Sequence, residues 1–194
     1  MIDPLGTVLS LVVPVFEKLE VLYYIGGSVA SGTYGDKRQT NDVDIVADLK
    51  PEHVIPFTNA LKDEFYADEI MIRKAVRDRG SFNLIHFATS YKVDVFPLKS
   101  RAYDQEVASR RQREIVDGEP PVESYIAQSE DIVLAKLEWF RAGGETSDRQ
   151  WRDILGVLKL QCFDLDFEYM EKWAREIEVF DLLERALDDA GLKQ

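Results

Sequence analysis

The chain has 194 residues and a formal net charge of −12, from 24 Lys and Arg against 36 Asp and Glu. Hydrophobic residues make up 45% of it and charged residues 31%, which excludes a wholly disordered chain. The acidic balance disfavours proteins that bind nucleic acid through a broad basic surface. Cys162 is the only cysteine, so an intrachain disulfide and a cysteine-rich zinc site are also excluded.

The amino-terminal segment lacks the marks of a signal peptide or a membrane anchor. It opens Met1-Ile2-Asp3-Pro4 without a basic stretch, and Ser10 and Pro14 interrupt the apolar run over 8–16. We therefore expect a cytoplasmic protein with no membrane partner.

Helices and strands alternate in the first half of the chain. Apolar residues repeat at three and four over 4–20, which predicts a helix, and the β-rich run 21–25 predicts a buried strand that stops at Gly26-Gly27. A second strand is predicted over 43–47, followed by helices over 51–65 and 68–77. Residues 82–87 and 91–96 are typical of a strand pair. The segment 100–127 is mixed, with a strand predicted at 113–116.

The second half of the chain is helical throughout. Amphipathic patterns predict helices over 129–142, 149–162, 166–176 and 178–190. The whole pattern predicts an α+β fold. Residues 1–127 form an α/β-type core, a small mixed sheet with flanking helices, and residues 128–194 form a helical subdomain packed on it.

The most informative segment begins where the first strand ends. The sequence Gly26-Gly27-Ser28 follows that strand and opens a helix. Glycines let the backbone approach a ligand closely, and the free N–H groups of a helix N-terminus favour an anion. Because the Ser28 hydroxyl adds a further donor, this segment is typical of a phosphate-binding turn.

Three acidic residues lie in predicted strands. Asp42 and Asp44 share one face at the start of a strand, about 6–7 Å apart along it. Asp94 interrupts the apolar run of a later strand, and it joins them if the two strands are neighbours. Carboxylates that crowd together repel unless a cation lies between them, and Mg²⁺ is bound by one or two carboxylates together with substrate phosphates. The set predicts metal-assisted phosphoryl or nucleotidyl transfer.

These residues resemble the nucleotidyltransferase superfamily that includes DNA polymerase beta. Gly27-Ser28 is followed after 13 residues by Asp42-Val43-Asp44-Ile45, and Asp94 matches the family's third acid in type and context. The resemblance implies the family's mixed-sheet core and the transfer of NMP from an NTP to a hydroxyl. It also implies Mg²⁺ or Mn²⁺, in two-metal form, on Asp42, Asp44 and Asp94, with the nucleotide on Gly26, Gly27 and Ser28.

The helical half is similar to minimal bacterial nucleotidyltransferases of the AbiEii toxin type, over residues 128–155. By this resemblance Lys136 reaches the triphosphate, and Arg149 and Asp153 support the site or a substrate. An ordinary interpretation stays open, in which Arg149 and Asp153 form an ion pair on a helix face.

Several functions stay open. The acceptor is an RNA 3′ end, a protein or a small molecule such as an aminoglycoside, and the setting is a toxin–antitoxin pair or phage defence with a cognate antitoxin or a second copy as partner. Arg110, Arg111 and Arg113 form the densest basic cluster, which suits either an RNA backbone or a solvated strand edge. A catalytically silent nucleotide-binding module and a pure scaffold are the alternatives to an enzyme.

Overall fold

The strands form one mixed sheet in a computed structural model of the protein, which describes residues 4–36 and 39–192. The start of the chain at Met1-Ile2-Asp3, on which the expectation of no signal peptide depends, lies outside these residues. The strand order is β3-β4-β5-β2-β1-β7-β6. The strands are β1 (Tyr23–Ile25), β2 (Asp42–Ala47), β3 (Phe65–Tyr66), β4 (Phe82–His86), β5 (Lys92–Pro97), β6 (Gln112–Val116) and β7 (Val122–Ile126).

Helices cover both faces of this sheet. They are α1 (Pro4–Lys18), α2 (Gly27–Tyr34), α3 (Val54–Leu61), α4 (Glu69–Asp78), α5 (Ala102–Arg110), α6 (Ser129–Ala142), α7 (Asp148–Leu160), α8 (Phe167–Glu176) and α9 (Phe180–Ala190), with a short 3₁₀ helix at Pro51–His53. This mixed architecture is the α+β fold that the sequence predicts. No helix in 4–36 or 39–192 has both the length and the apolar character to cross a membrane.

The two central strands have one buried apolar face. Val43 and Ile45 of β2 and Val93 and Val95 of β5 are almost fully buried. On this side the ring of Phe16 in α1 stacks on Tyr23. Because strand side chains alternate, the acidic residues of β2 and β5 all point to the opposite face.

The carboxy-terminal helices pack on α2. Residues of α2 contact α6 and α7 on one side and β2 on the other. Gly35 lies so close to α7 that a Cβ there would be 3.1 Å from the Val157 nitrogen. Gln161, at the end of α7, donates a hydrogen bond to the Tyr34 carbonyl at 3.0 Å. The helical part therefore holds the helix that follows the Gly-Gly turn, while the division into two units at residue 127 stays a prediction.

Two stretches differ from the predicted elements. The helix predicted over 51–65 ends at Leu61, and Phe65 is a buried strand residue that pairs with His86. The mixed segment 100–127 contains helix α5 and the hairpin of β6 and β7. Strand β7 also pairs with β1 through Ile126 and Ile25, and so extends the sheet beyond its acidic centre.

Candidate active site

The three strand acids meet on one face of the sheet. Strands β2 and β5 are parallel neighbours, and their register places Asp44 directly beside Asp94. Asp42 lies two residues before Asp44 on the same face. The structure therefore brings Asp42, Asp44 and Asp94 together at the start of two central strands.

The Gly-Gly turn closes over this group. The Gly26 N–H donates a hydrogen bond to the Asp44 carbonyl at 2.9 Å, which fixes the turn to β2. Gly27 has φ of +58°, and a Cβ there would lie 1.8 Å from Asp44 Oδ2. Only glycine lets the Asp44 carboxylate sit against the backbone at this point. Ser28 lies in the first turn of α2, where the N–H groups lack helical partners.

Asp44 has a strongly perturbed carboxyl group. Burial, together with the charges of Asp42 and Asp94, raises its pKa from 3.8 to about 6. Lys136 and Lys92 act in the opposite direction. A carboxylate crowded by like charges at the start of a strand is the arrangement that a bound cation relieves.

The other two acids have neighbouring polar partners. Thr40 Oγ1 donates a hydrogen bond to Asp42 Oδ1 at 2.5 Å. Lys92 lies two residues before Asp94 on the same face, and its Nζ is 2.7 Å from Asp94 Oδ2. Lys92 is a residue of this group that the sequence reasoning missed, although its spacing from Asp94 was a sufficient signal.

Two of the three predicted residues of the helical half also reach the site. Lys136 in α6 is buried, with 7% of its surface exposed, and its Nζ lies 2.8 Å from Asp153 Oδ2 in α7. Its charge lowers the pKa of Asp44, so it faces the acidic group. Arg149 is exposed one turn before Asp153 on α7, and the structure does not place it in the group.

The residues present suit a hard divalent cation. The donors are carboxylate oxygens, which Mg²⁺ and Mn²⁺ prefer, and Gly27 leaves open the space that a Cβ would fill beside Asp44. Within 4–36 and 39–192, no three acidic, histidine or cysteine side chains are arranged to enclose a metal ion by themselves. Mg²⁺ is usually bound by one or two carboxylates together with substrate phosphates, so a site of this kind would not need a third protein ligand.

A cavity of about 310 Å³ opens beside α2, and two of the residues that line it contact Asp42. Ser28 and Thr33 of α2 line it together with Thr40, the partner of Asp42, and Tyr91, whose hydroxyl donates to the Asp42 carbonyl at 3.0 Å. Its size is at the lower end of the range for small-molecule sites. A second cavity, of about 130 Å³, lies at the other end of β2, away from the acids.

The three arginines of the basic cluster have partners within the protein. Arg110 bonds to Gln128 and Glu130, and Arg113 pairs with Glu17 and Glu123. The guanidinium of Arg111 lies over the Tyr125 ring. Arg110 and Arg111 are half-buried and Arg113 is exposed, so contact with an RNA backbone and a solvated strand edge both stay predictions.

The fold is shared with solved nucleotidyltransferase-like proteins. An antigenic nucleotidyltransferase-like protein from Paracoccidioides brasiliensis matches with a TM-score of 0.59 at 15% identity, over 97% of this chain and 93% of that one. The antibiotic-resistance factor ANT(2'')-Ia in solution matches with 0.56 at 16%, over 95% and 97%. Its crystal structure in complex with adenylyl-2''-tobramycin matches with 0.54 at 13%, over 89% and 95%. No family model and no curated protein matches the sequence.

Proposed function

We propose that the protein is a metal-dependent nucleotidyltransferase that transfers NMP from an NTP to a hydroxyl acceptor. The observation that carries the proposal is the convergence of Asp42, Asp44 and Asp94 beside Gly27, at the start of a helix in a nucleotidyltransferase-like fold. Like charges crowded beside the N-terminus of a helix are suited to a triphosphate that arrives with its cation.

Each residue has a separate part in binding. The N–H groups of the first turn of α2 and the Ser28 hydroxyl bind phosphate oxygens. Lys136 supplies positive charge from α6, and Asp153 keeps its ammonium directed at the site. Asp42 and Asp44 hold a divalent cation, which supplies Lewis-acid stabilisation of the phosphate charges when it is bound.

The transfer is a single displacement at the α-phosphorus. The acceptor oxygen forms a bond to phosphorus, the bond to the bridging oxygen of pyrophosphate breaks, and Asp94 takes the proton of the acceptor hydroxyl. Asp94 is suited to this step because the strand register places it directly beside Asp44. The products are the nucleotidylated acceptor and pyrophosphate.

A small-molecule acceptor is the best supported class. The net charge of −12 favours neutral or cationic acceptors over polyanions. The residues that line the cavity beside Asp42 are mostly uncharged, as suits a sugar-like ligand. The fold likeness to ANT(2'')-Ia, whose crystal structure holds adenylyl-2''-tobramycin, supports an aminoglycoside as the first compound to test.

An RNA or protein acceptor is the second candidate. It is supported by the resemblance of residues 128–155 to AbiEii-type toxins, which also suggests a cytoplasmic toxin–antitoxin or phage-defence setting with a cognate antitoxin. The ion pairs of Arg110 with Glu130 and of Arg113 with Glu17 weigh against an RNA acceptor, because a phosphate backbone would have to compete with these carboxylates.

The experiment is transfer of α-³²P label from each NTP, with Mg²⁺ or Mn²⁺, into separate RNA, protein and aminoglycoside fractions. The wild type is compared with the Asp42→Asn/Asp44→Asn double variant. We expect label in the aminoglycoside fraction with the wild type alone. Label in RNA or protein would support nucleotidyl transfer but reject a small-molecule acceptor. No label in any fraction would favour a catalytically silent nucleotide-binding module.

A further inference from the structure

An aromatic pair lies beside the acidic group on the same face of the sheet. Phe96 follows Asp94 by two residues in β5, so its ring is on the face of the acids, about 6–7 Å further along the strand. The ring centroid of Trp139 in α6 lies 6.0 Å from that of Phe96, at an interplanar angle of 62°. The two rings therefore border the candidate active site where β5 runs on beyond Asp94.

Trp139 is much more exposed than the other two tryptophans of the chain. Its surface is 57% exposed, whereas Trp173 is 6% exposed and Trp151 packs on the Phe140 ring. Neither Trp139 nor Phe96 is part of the hydrophobic core. A tryptophan that only stabilises the fold buries most of its large apolar surface. The Trp139 indole is held against a second ring and left open, which suits it to stack on a ligand.

We propose that Trp139 and Phe96 form the nucleobase subsite of the NTP site, in which the base stacks on the Trp139 indole. This inference rests on the proposed function, because it assigns the part of that same site that binds the base. Stacking on an aromatic face depends on ring area and not on hydrogen bonds to the base edge, so the subsite favours the two-ring purines over the pyrimidines. The substrate class that follows is a purine nucleoside triphosphate.

The order of groups along α6 supports this assignment. Lys136 faces the acids, since its charge lowers the pKa of Asp44. Trp139 comes three residues later in the same helix, which places it on a neighbouring part of the same helix surface, nearly one turn further on. The helix therefore presents an ammonium group for the phosphates and an indole beyond it. Charge followed by a flat ring is also the order of groups in a nucleotide.

The order of groups along β5 is the same. Asp94 is the acid assigned to the reacting phosphate, and Phe96 is the next side chain on that face. Because the ribose separates the α-phosphate from the base, a base attached to a phosphate at Asp94 lies beyond that acid. The cavity lined by Thr40 and Tyr91 lies at the start of the strands, on the other side of the acids, and remains for the acceptor.

The test measures nucleotide binding without turnover. The α,β-methylene analogues of ATP and CTP are titrated with Mg²⁺ by isothermal calorimetry and by tryptophan fluorescence. Magnesium tripolyphosphate supplies the phosphates without a base. We expect the ATP analogue to quench the emission of the wild type and to bind about threefold more tightly than the CTP analogue. Tripolyphosphate should bind without quenching.

Two variants of Trp139 separate stacking from packing. Trp139→Leu should weaken binding of the ATP analogue about tenfold, as expected for the loss of one stacked ring, and should leave tripolyphosphate unchanged. Trp139→Phe keeps an aromatic face, so its affinity should stay within about threefold of the wild type while the quenching is lost. Phe163→Leu is the matched control, since Phe163 is 97% exposed between α7 and α8, and it should bind as the wild type does. Circular dichroism confirms that each variant is folded.

Three results would overturn the inference. Equal weakening of the ATP analogue and tripolyphosphate in Trp139→Leu would make Trp139 a packing residue. Unchanged binding of the ATP analogue in Trp139→Leu would remove the base from this face, and a loss of tobramycin binding in that variant would assign the face to the acceptor instead. Tighter binding of the CTP analogue than of the ATP analogue would contradict recognition by ring area.

These results are distinguishable from a failure of the proposed function. Label transfer by the wild type, with unchanged binding of the ATP analogue in Trp139→Leu, would reject the subsite and keep the enzyme. Binding that depends on both the base and Trp139, without label transfer in any acceptor fraction, would keep the subsite and reject nucleotidyl transfer.

Discussion

Two groups of acidic residues in this protein differ in what surrounds them. One is the group of Asp42, Asp44 and Asp94 at the start of β2 and β5. The other lies at the start of α6, where Glu130 and Asp131 are both almost fully buried. Burial raises the pKa of one acid in each group, Asp44 and Asp131, to about 6.

The group at α6 is compensated by its neighbours. Arg110 donates a hydrogen bond to Glu130 Oε2 at 3.2 Å, and its guanidinium lies 3.5 Å from the centroid of the Tyr169 ring. The Tyr169 hydroxyl donates to Asp131 Oδ1 at 2.6 Å. The Tyr169 hydrogen bond and the charge of Arg110 lower the pKa of Asp131 against the effect of burial, while the smaller effects of Glu130 and Glu106 raise it. These contacts join α5, α6 and α8, so this group serves packing.

In the group on the sheet the order of the effects is reversed. After burial, the largest effects on the pKa of Asp44 are the charges of Asp42 and Asp94, which raise it, and the opposing charges of Lys136 and Lys92 are smaller. A structure that holds like charges together stores unfavourable energy that a ligand can relieve. The comparison teaches that a buried acid with a raised pKa is a candidate site residue where repulsion by neighbouring acids is the larger effect after burial. It is a structural acid where a hydrogen bond and a cation are the larger effects.

The largest expected effect is the loss of activity in Asp44→Asn. Transfer of α-³²P label should fall by about a thousandfold or more, because the variant loses a ligand of the cation that stabilises the phosphate charges. The free energy of unfolding in the absence of metal should rise, since the variant removes a buried repelled charge. Activity close to that of the wild type would show that Asp44 has no part in the reaction.

The second effect concerns the group at α6. Arg110→Met should lower the free energy of unfolding by about 3 kcal/mol, because it leaves Glu130 and Asp131 buried without their cation. Urea denaturation at pH 7 measures this change. Arg73→Met, which breaks an exposed pair with Glu69, is the matched control and should cost less than about 0.5 kcal/mol. Equal losses in the two variants would contradict the structural role of the group.

The third effect is a difference in stability and activity between variants of the two adjacent glycines, Gly27 and Gly26. Gly27→Ala should lower the free energy of unfolding by about 1–2 kcal/mol through its left-handed backbone, and it should reduce activity because the new Cβ displaces the Asp44 carboxylate. Gly26→Ala meets open space on an extended backbone and should change stability by less than about 0.5 kcal/mol. Thermal unfolding and label transfer measure both variants, and a reversed order would contradict the placement of Asp44.

The smallest effect is the pH dependence of stability that Asp44 contributes. Its pKa is about 6 in the folded chain, against an ordinary value of 3.8, so the folded state binds the extra proton as the pH falls. Stability from this group is therefore low above pH 6 and rises as the pH falls towards 4. Between pH 7 and pH 5 the gain should be about 1 kcal/mol. Urea titrations in a chelator should show this gain in the wild type relative to Asp44→Asn, and parallel curves would contradict it.

Much of the candidate site could be predicted because it depends on local patterns. Alternation along a strand placed Asp42 and Asp44 on one face, and an acid inside an apolar strand marked Asp94 as unusual. The structure confirms the two strands and the fold class. The parallel pairing of β2 with β5 could only be stated as a condition, because it depends on contacts between distant parts of the chain.

Other features could not be predicted, because they depend on tertiary contacts that no local sequence pattern indicates. Helix α5 has a weak amphipathic pattern, and β7 is stabilised by pairing with β1 and β6 rather than by its own alternation. The arginine cluster was open to two interpretations, and Arg110 packs inwards because Tyr169 and Glu130, far along the chain, approach it. The sequence alone does not distinguish Lys136 from a solvated lysine. Its burial depends on the packing of α7 against α6, which places Asp153 beside it.

The most direct test of the central claim is label transfer from α-³²P NTP by three proteins side by side: the wild type, Asp44→Asn and Asp131→Asn. All three are assayed with Mg²⁺ at pH 7, on the acceptor fraction that the wild type labels most strongly. We predict full transfer by the wild type, transfer within about tenfold of it by folded Asp131→Asn, and none above background by Asp44→Asn. Equal loss in both variants, or transfer by Asp44→Asn, would contradict the assignment of the sheet carboxylates as the reaction centre.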